Sequence, residues 1–255
     1  MSTDLIQEMR GPVLWLTINR EEKRNALTMA TMAEIREALA AAQNNKAVHA
    51  VVITGAGTRA FCAGADLGTG ASFAFDYSVP HMEFANLFRQ VRQLTVPLIA
   101  RVNGACMAGG MGLMSMCDMV VASDKAIFGL PEVKIGLFPA QVLTVLRESI
   151  PQRVLNEMCI TGEPLNAAQA LQYNLVNYVD ADLDGKLDWL LQRLLDKSPS
   201  AIRRGLYTLK TTVSMPFEET MAFTESQIAL FALTEDAKEG QLAFREKRKP
   251  VWTGK

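Results

Sequence analysis

Asn103-Gly104-Ala105-Cys106-Met107-Ala108-Gly109-Gly110-Met111-Gly112 is the stretch in which this chain declares its fold. It follows the strand-like run Leu98 to Val102 and precedes the apolar run Leu113 to Cys117, so its glycines fall where a strand gives way to a helix N-terminus. The first N–H groups of a helix have no partner within it, and the positive end of its dipole lies there. A developing oxyanion can be held at such a turn without any charged side chain. The bland reading of the same glycines is a tight packing turn.

Upstream, a second run of small residues, Phe61-Cys62-Ala63-Gly64-Ala65-Asp66-Leu67, follows the buried-strand run Val48 to Thr54 and the Gly55-Ala56-Gly57 turn. Small side chains there let a ligand approach the main chain. Nearer the N-terminus, Val13 to Ile18 is apolar and β-prone. The Arg10-Gly11-Pro12 break before it reads as a hairpin turn from an earlier strand. Met32, Ile35, Ala38 and Leu39 recur at helical spacing behind Thr28, a capping residue. The pattern predicts strand, strand, helix, repeated. Leu67 to Pro80 lacks a period and reads as a long surface loop before a helix from about His81.

Downstream, Phe128-Gly129-Leu130-Pro131-Glu132 sets a carboxylate in an apolar run that continues to Pro139. An acid in such surroundings holds its proton more tightly and can move protons near neutral pH. The alternative is that Glu132 pairs with Lys134 or caps a helix. From Gln141 onward the period is helical, with breaks at Gly162-Glu163-Pro164, Ser198-Pro199-Ser200 and Pro216, so the C-terminal third reads as an all-helical module.

Composition bounds the partners. Lys and Arg number 26 against 27 Asp and Glu, a balance with no field to attract nucleic acid. No run reaches the ~18 continuous apolar residues of a membrane span, and the first residues do not read as a secretory signal. Cys62, Cys106, Cys117 and Cys159 lack CxxC spacing, which suits a reducing compartment, the cytoplasm, better than a disulfide framework. His49 and His81 are the only histidines, so metal-centred or Ser-His-Asp chemistry has little material. At 255 residues the chain suits one large domain with at most a helical appendage.

In order and spacing these segments resemble the crotonase superfamily, also called the enoyl-CoA hydratase/isomerase family. The resemblance runs almost end to end. It takes in Ile18-Asn19-Arg20, Asn25-Ala26-Leu27, the two small-residue segments, Cys117-Asp118 and the terminal Phe244-Arg245-Glu246-Lys247-Arg248-Lys249-Pro250-Val251-Trp252. It implies an α/β fold, a spiral of ββα units over residues 1–195 followed by a helical C-terminal trimerisation region over 196–255. A homotrimer or a dimer of trimers is implied with it.

Carried over residue by residue, the resemblance puts the oxyanion hole on the N–H groups of Ala65 and Gly109. The adenine of CoA falls on the main chain of Ala63, Ala65 and Leu67, and Arg24 falls beside the pantetheine and phosphates, unless it is a solvated loop arginine. No cofactor is implied, because CoA is part of the substrate. Of two glutamates that hydratases of the family typically use, only Glu132 is present; Gly112 holds the other position. The resemblance therefore leaves hydration of an enoyl-CoA, as in fatty acid metabolism, ahead of a Δ3 to Δ2 double-bond shift by one glutamate. A catalytically weak acyl-CoA binder and a thioester hydrolase stand behind these. Ala140-Gln141-Val142-Leu143 replaces a glycine-rich stretch of familiar hydratases. Phe138, Gln141 and the set Met107, Met111 and Met114 are candidates for an acyl wall, the methionines serving equally well as core filling. Asp118 reads as structural, and Lys247 to Lys249 as a solvated charge run or a reach toward CoA phosphates.

Overall fold

The computed structural model describes residues 4–69, 78 and 82–255. The chain opens with a hairpin in which β1 (Leu5–Arg10) and β2 (Val13–Ile18) pair antiparallel around Gly11-Pro12. Gly11 takes φ 58°, the left-handed value that the first residue of so tight a loop requires. In α1 (Met29–Asn44) the Thr28 hydroxyl accepts the N–H of Thr31 at 3.0 Å and closes the first turn, as the sequence predicts. Strand-strand-helix units follow. The first is β3 (Ala50–Gly55), β4 (Ala60–Cys62) and α2 (Glu83–Gln93). The second is β5 (Leu98–Val102), β6 (Ala105–Met107) and α3 (Gly109–Ser115). The third is β7 (Met119–Ser123) and β8 (Ile127–Gly129) with α4 (Leu143–Leu146) and α5 (Gln152–Thr161).

The first strand of each unit joins one sheet, ordered β1-β2-β3-β5-β7-β10 with β10 at Tyr178–Asp180, and the second joins another, ordered β4-β6-β8-β9 with β9 at Leu165–Asn166. The chain thus spirals between two sheets, the arrangement that the resemblance implies. The inner strands β2, β3, β5 and β7 are buried on both faces and read as continuous apolar runs, whereas the edge strand β1 is largely exposed. Leu14, Leu16, Val51, Ile53, Leu98 and Ala100 point into the main core; the alternate residues Trp15, Val52 and Ile99 pack against Leu187 and Leu190. Each fully buried leucine or isoleucine there stabilises by roughly 1.5–3 kcal/mol.

The expectation of helix from Gln141 onward is corrected at two short strands, β9, which pairs antiparallel with β8, and β10. After β9 (Leu165–Asn166) and α6 (Ala167–Gln172), β10 (Tyr178–Asp180) adds a parallel edge to β7. Three residues are too few to show a period against helical flanks. α7 (Leu183–Leu195) then covers the sheet, and α8 (Pro199–Thr212), α9 (Phe217–Ala232) and α10 (Glu235–Glu246) complete the chain. The strand expected from Val48 starts at Ala50, because Val48 N–H turns back to Asn45 O and His49 N–H to Pro12 O. The loop expected from Leu67 opens with a short 3-10 turn, 67–69, and most of it, with His81, lies outside the described residues.

Side chains late in the sequence fasten the C-terminal helices to the core. Lys210 Nζ stands 2.9 Å from Asp118 Oδ1 and donates to Leu94 O at 2.8 Å and Val91 O at 3.2 Å. Asp118 Oδ2 accepts the N–H of Leu98, so this aspartate is structural as read. Arg203 donates to Gln43 O in the last turn of α1 and to Asn45 O and Val48 O just beyond it. Asp236, 1% exposed, accepts from the hydroxyls of Ser198 and Ser200 and from Thr253 N–H. The terminal charge run is exposed, as expected of a solvated face, and Arg248 within it pairs with Glu239 and Glu246. No helix among the described residues is long and apolar enough to cross a membrane.

Candidate active site

Both small-residue segments continue strands of the second sheet. β4 pairs with β6, with Cys62 opposite Cys106. Beyond them the two loops touch. Gly64 has φ 97°, and a Cβ on it would lie 2.7 Å from Ala108 Cβ and 3.1 Å from Gly109 N, so only glycine permits the approach. Leu27 holds the loop from its other side: its N–H donates to Gly64 O at 2.7 Å and its O accepts from Asp66 N–H at 2.9 Å. A trans peptide sets Gly64 C=O and Ala65 N–H on opposite sides, so the Ala65 N–H points away from Leu27. There it meets α3. A Cβ built on Gly109 would stand 3.6 Å from Ala65 N.

Gly109 is the first residue of α3, so its N–H has no acceptor in the helix. Neither it nor the Ala65 N–H has a partner among the described residues. Ala108 precedes it at φ 50°, ψ −122°, a conformation that costs of order 1–3 kcal/mol for a residue with a side chain. The turn is over-determined, since Ala108 N–H donates to Gly129 O at 2.9 Å and Ala108 O accepts from Met111.

Buried amides and one ion pair hold the scaffold. Asn103 Nδ2 donates to Gly55 O and Gly57 O, and Asn25 Nδ2 to Ala56 O and Ala60 O. Arg20 Nη2 meets Asp66 Oδ2 at 2.7 Å, both side chains nearly buried, one residue from Ala65. That pairing with the Gly68 N–H holds the Asp66 carboxyl below the usual carboxylate range.

Glu132 comes from the neighbouring strand. The bond from Ala108 to Gly129 O ties β8 to the α3 turn, and three residues later Glu132 sits in a 3-10 turn that Pro131 begins. Neither bland alternative holds: Lys134 pairs with Glu163 at 2.9 Å, and no side-chain cap bond is made at Leu130. Glu132 is half-buried with Oε2 unpartnered, and burial pushes its pKa up. Behind it lies α5, where burial first and then the Glu132 charge push the Cys159 thiol up to about 11. The carboxylate is bonded by its own backbone N–H, and the unpartnered Oε2 is costly in such a place, which marks Glu132 as a candidate acid-base group.

Gly112 lies on the next turn of α3, and a Cβ there would stand 2.7 Å from Phe88 Cζ, 3.1 Å from Phe84 Cζ and 3.4 Å from Val142 Cγ2. Aromatic rings fill the space a glutamate side chain would take. Of the expected wall residues, Met111 and Met114 are fully buried core, Met107 packs on Gly129, and Phe138 is 53% exposed. Gln141 reaches Met82 Sδ at 3.7 Å. Phe84 and Phe88, one helical turn apart in the sequence, are the rings that pack on Gly112, and the sequence did not single them out.

On the solvent side, Arg24 O accepts the N–H of Ala63 at 3.0 Å, so the exposed Arg24 side chain sits at the edge of the Ala63 to Leu67 loop. Leu67 is 53% exposed beside it. His49, by contrast, precedes β3 at the end of the sheet opposite the loops, with burial and Arg203 lowering its pKa.

The family model described as enoyl-CoA hydratase/isomerase matches residues 8–255. The chain is 35% identical to a carnitinyl-CoA dehydratase of Escherichia coli O157:H7, with all of both chains covered. It is 30% identical to a mitochondrial enoyl-CoA hydratase domain-containing protein 3 of Danio rerio, over 97% of this chain and 87% of that one. Among solved structures, an enoyl-CoA hydratase of Mycobacterium smegmatis superposes with a TM-score of 0.90 at 30% identity, covering 98% of this chain and 99% of that one. Sequence, fold and the meeting of the two glycine-bearing loops agree, and the chain belongs to the enoyl-CoA hydratase/isomerase family, within the crotonase superfamily.

Proposed function

We propose that this enzyme catalyses the reversible hydration of a 2-enoyl-CoA, with Glu132 as its single acid-base group. The observation that carries the reading is the unpartnered Oε2 of Glu132, tied through Gly129 and Ala108 to the turn that bears the free N–H groups. The thioester oxygen accepts from Ala65 and Gly109. Glu132 takes a proton from water as its oxygen bonds to Cβ; the double-bond electrons move into the thioester and leave an enolate oxyanion in the N–H pair. Glu132 then returns the proton to Cα. One carboxylate suffices because it ends as it began. The N–H pair contributes most, a single such donor being worth roughly 10²–10³ in rate. A relative named for a dehydration of a CoA thioester supports the direction of this reading.

CoA belongs to the substrate, its adenine on the main chain of Ala63, Ala65 and Leu67 and its phosphates near Arg24. The reading asks for no other cofactor. We place the enzyme in the cytoplasm, where its free cysteines stay reduced. The exposed Leu209, Phe217, Ile228, Leu233 and Phe244 of the C-terminal helices support a homotrimer or a pair of trimers.

A second reading, Δ3 to Δ2 isomerisation, is favoured by one observation: the Gly112 position holds aromatic rings and no second acid. Product mass decides. A gain of one water from 2-enoyl-CoAs supports hydration, and a moved double bond at unchanged mass overturns it in favour of isomerisation. Turnover left intact by Glu132→Gln, or none with either substrate class, returns the chain to a weak acyl-CoA binder. Release of free CoA would make it a thioester hydrolase.

A further inference from the structure

Cys62 ends β4 and is fully buried where the two small-residue segments meet. On one side its Sγ accepts the Gly64 N–H at 3.4 Å and stands 4.0 Å from Gly64 O, too far for more than a weak bond from its own S–H. Gly64 immediately precedes Ala65. On the other side the residue lies against α3: a Cβ built on Gly110 would overlap Cys62 O and stand 2.9 Å from Cys62 Cβ, one position after Gly109. One buried residue thus touches the supports of both N–H groups. Cys106, opposite it on β6, turns its sulfur to Met114 Sδ at 3.9 Å and leaves Cys62 to the loop.

Gly64 is buried, and its N–H has no other acceptor among the described residues. Leu27 holds the following atoms, Gly64 O and Asp66 N–H, so the sulfur is what holds the loop where it leaves β4. Without an acceptor the buried donor goes unpaired, and the loop relieves that cost by turning Gly64 toward another partner. Gly64 at φ 97° has the freedom to turn, and any change there moves the peptide that bears the Ala65 N–H. The thiol acts by contact and not by charge. Burial pushes its pKa up to about 12, so it stays neutral.

Resting on the acyl-thioester reading above, we infer that Cys62 is a positioning residue of the oxyanion hole: its sulfur anchors Gly64 while its backbone and Cβ bear on Gly110, and together they set the gap between the Ala65 and Gly109 N–H groups. The test compares Cys62→Ala, which removes the acceptor, with Cys62→Ser, whose hydroxyl can accept from the N–H two residues on. Affinity for CoA moves with the same loop and does not separate positioning from packing. The carbonyl stretch of the bound thioester does. Butyryl-CoA and octanoyl-CoA, isotope-labelled at the thioester carbonyl, are bound to saturation and read by infrared difference spectroscopy, with kcat measured on the matching 2-enoyl-CoAs and melting temperature on each form. In wild type the N–H pair should draw the stretch to lower wavenumber than in water. Cys62→Ala should return part of that shift and lower kcat by about tenfold or more, short of the ~10²–10³ lost with a whole donor. Cys62→Ser should recover most of both, although a buried hydroxyl makes it no more stable than the alanine form.

A carbonyl stretch that is the same in wild type and both variants, or that serine restores no better than alanine, overturns the inference and reduces Cys62 to core filling, while enoyl-CoA turnover by wild type stands. A stretch that moves with alanine and returns with serine, with no enoyl-CoA turned over by any form, supports the inference and removes the hydration reading instead. If neither saturated thioester binds to wild type, both fall.

Discussion

Phe88 Cζ stands 2.7 Å from where a side chain on Gly112 would begin, so the absent glutamate is a matter of occupied volume as well as of sequence. Restoring an acid by Gly112→Glu should therefore not build a two-carboxylate hydratase. The new side chain must displace the Phe88 ring, and overpacking of this kind costs about 1–3 kcal/mol. The expected outcome is a melting temperature lower by several degrees and reduced kcat/KM on short 2-enoyl-CoAs. An unchanged melting temperature with faster turnover would show that the rings yield freely.

Glu132→Gln keeps the shape and removes the proton carrier. kcat should fall by ~10²–10⁴, and the product mass spectrum of residual turnover should be unchanged. A loss under about tenfold contradicts its role as sole acid-base group.

Burial gives the same carboxyl a pH signature. The folded chain keeps the Glu132 proton over a window in which the unfolded chain has already lost it, so stability is lost as pH rises through the raised folded pKa. Wild type minus Glu132→Gln should show this as a difference in melting temperature that turns against wild type toward neutral pH. Since the proposed base must be ionised, the acid limb of kcat/KM should lie above the ordinary carboxylate range. A limb at or below that range argues that another group titrates.

Asp66→Asn tests the brace beside the oxyanion turn. It weakens a charge-assisted bond to Arg20, worth roughly 1.5–3 kcal/mol, one residue from the Ala65 N–H. kcat and affinity for CoA should fall together, because Asp66 lies between Ala65, which carries the N–H, and Leu67, and both belong to the proposed adenine contact. Crystals of the variant with an unmoved Ala65 and full activity would assign Asp66 to folding only.

Phe244 is 85% exposed and Ile228 70%, on adjacent C-terminal helices. If they meet a second copy, Phe244→Asp should lower the molar mass seen by light scattering to that of one chain. Retention of the wild-type mass would move the contact elsewhere.

Much of this was legible in advance, for identifiable reasons. The Asn103 to Gly112 run displays its role because glycine is required where loops touch, and the Thr28 cap and the Val13 to Ile18 strand follow from local chemistry. β4, β6 and β8 were hidden, since three-residue strands have no room for alternation and their pairing comes from the spiral. The Phe84 and Phe88 pair was hidden for a different reason. Helical spacing puts the rings on one face of α2, but only tertiary packing brings that face to Gly112. Arg20 and Asp66 both lay inside quoted motifs, yet 46 residues separate partners whose pairing only the fold reveals.

The Lys210 bridge has a consequence for how the enzyme comes into being. The carbonyls of Val91 and Leu94, at the end of the helix that carries both phenylalanines, are met by an ammonium group more than a hundred residues later in the chain. On a ribosome the glycine turns and Glu132 emerge well before that lysine does. A nascent chain can thus present these groups while the helix that carries both phenylalanines still lacks the Lys210 contact. A cut ahead of α8 would leave the same carbonyls, and Asp118 with them, dependent on a fragment no longer covalently joined to the core.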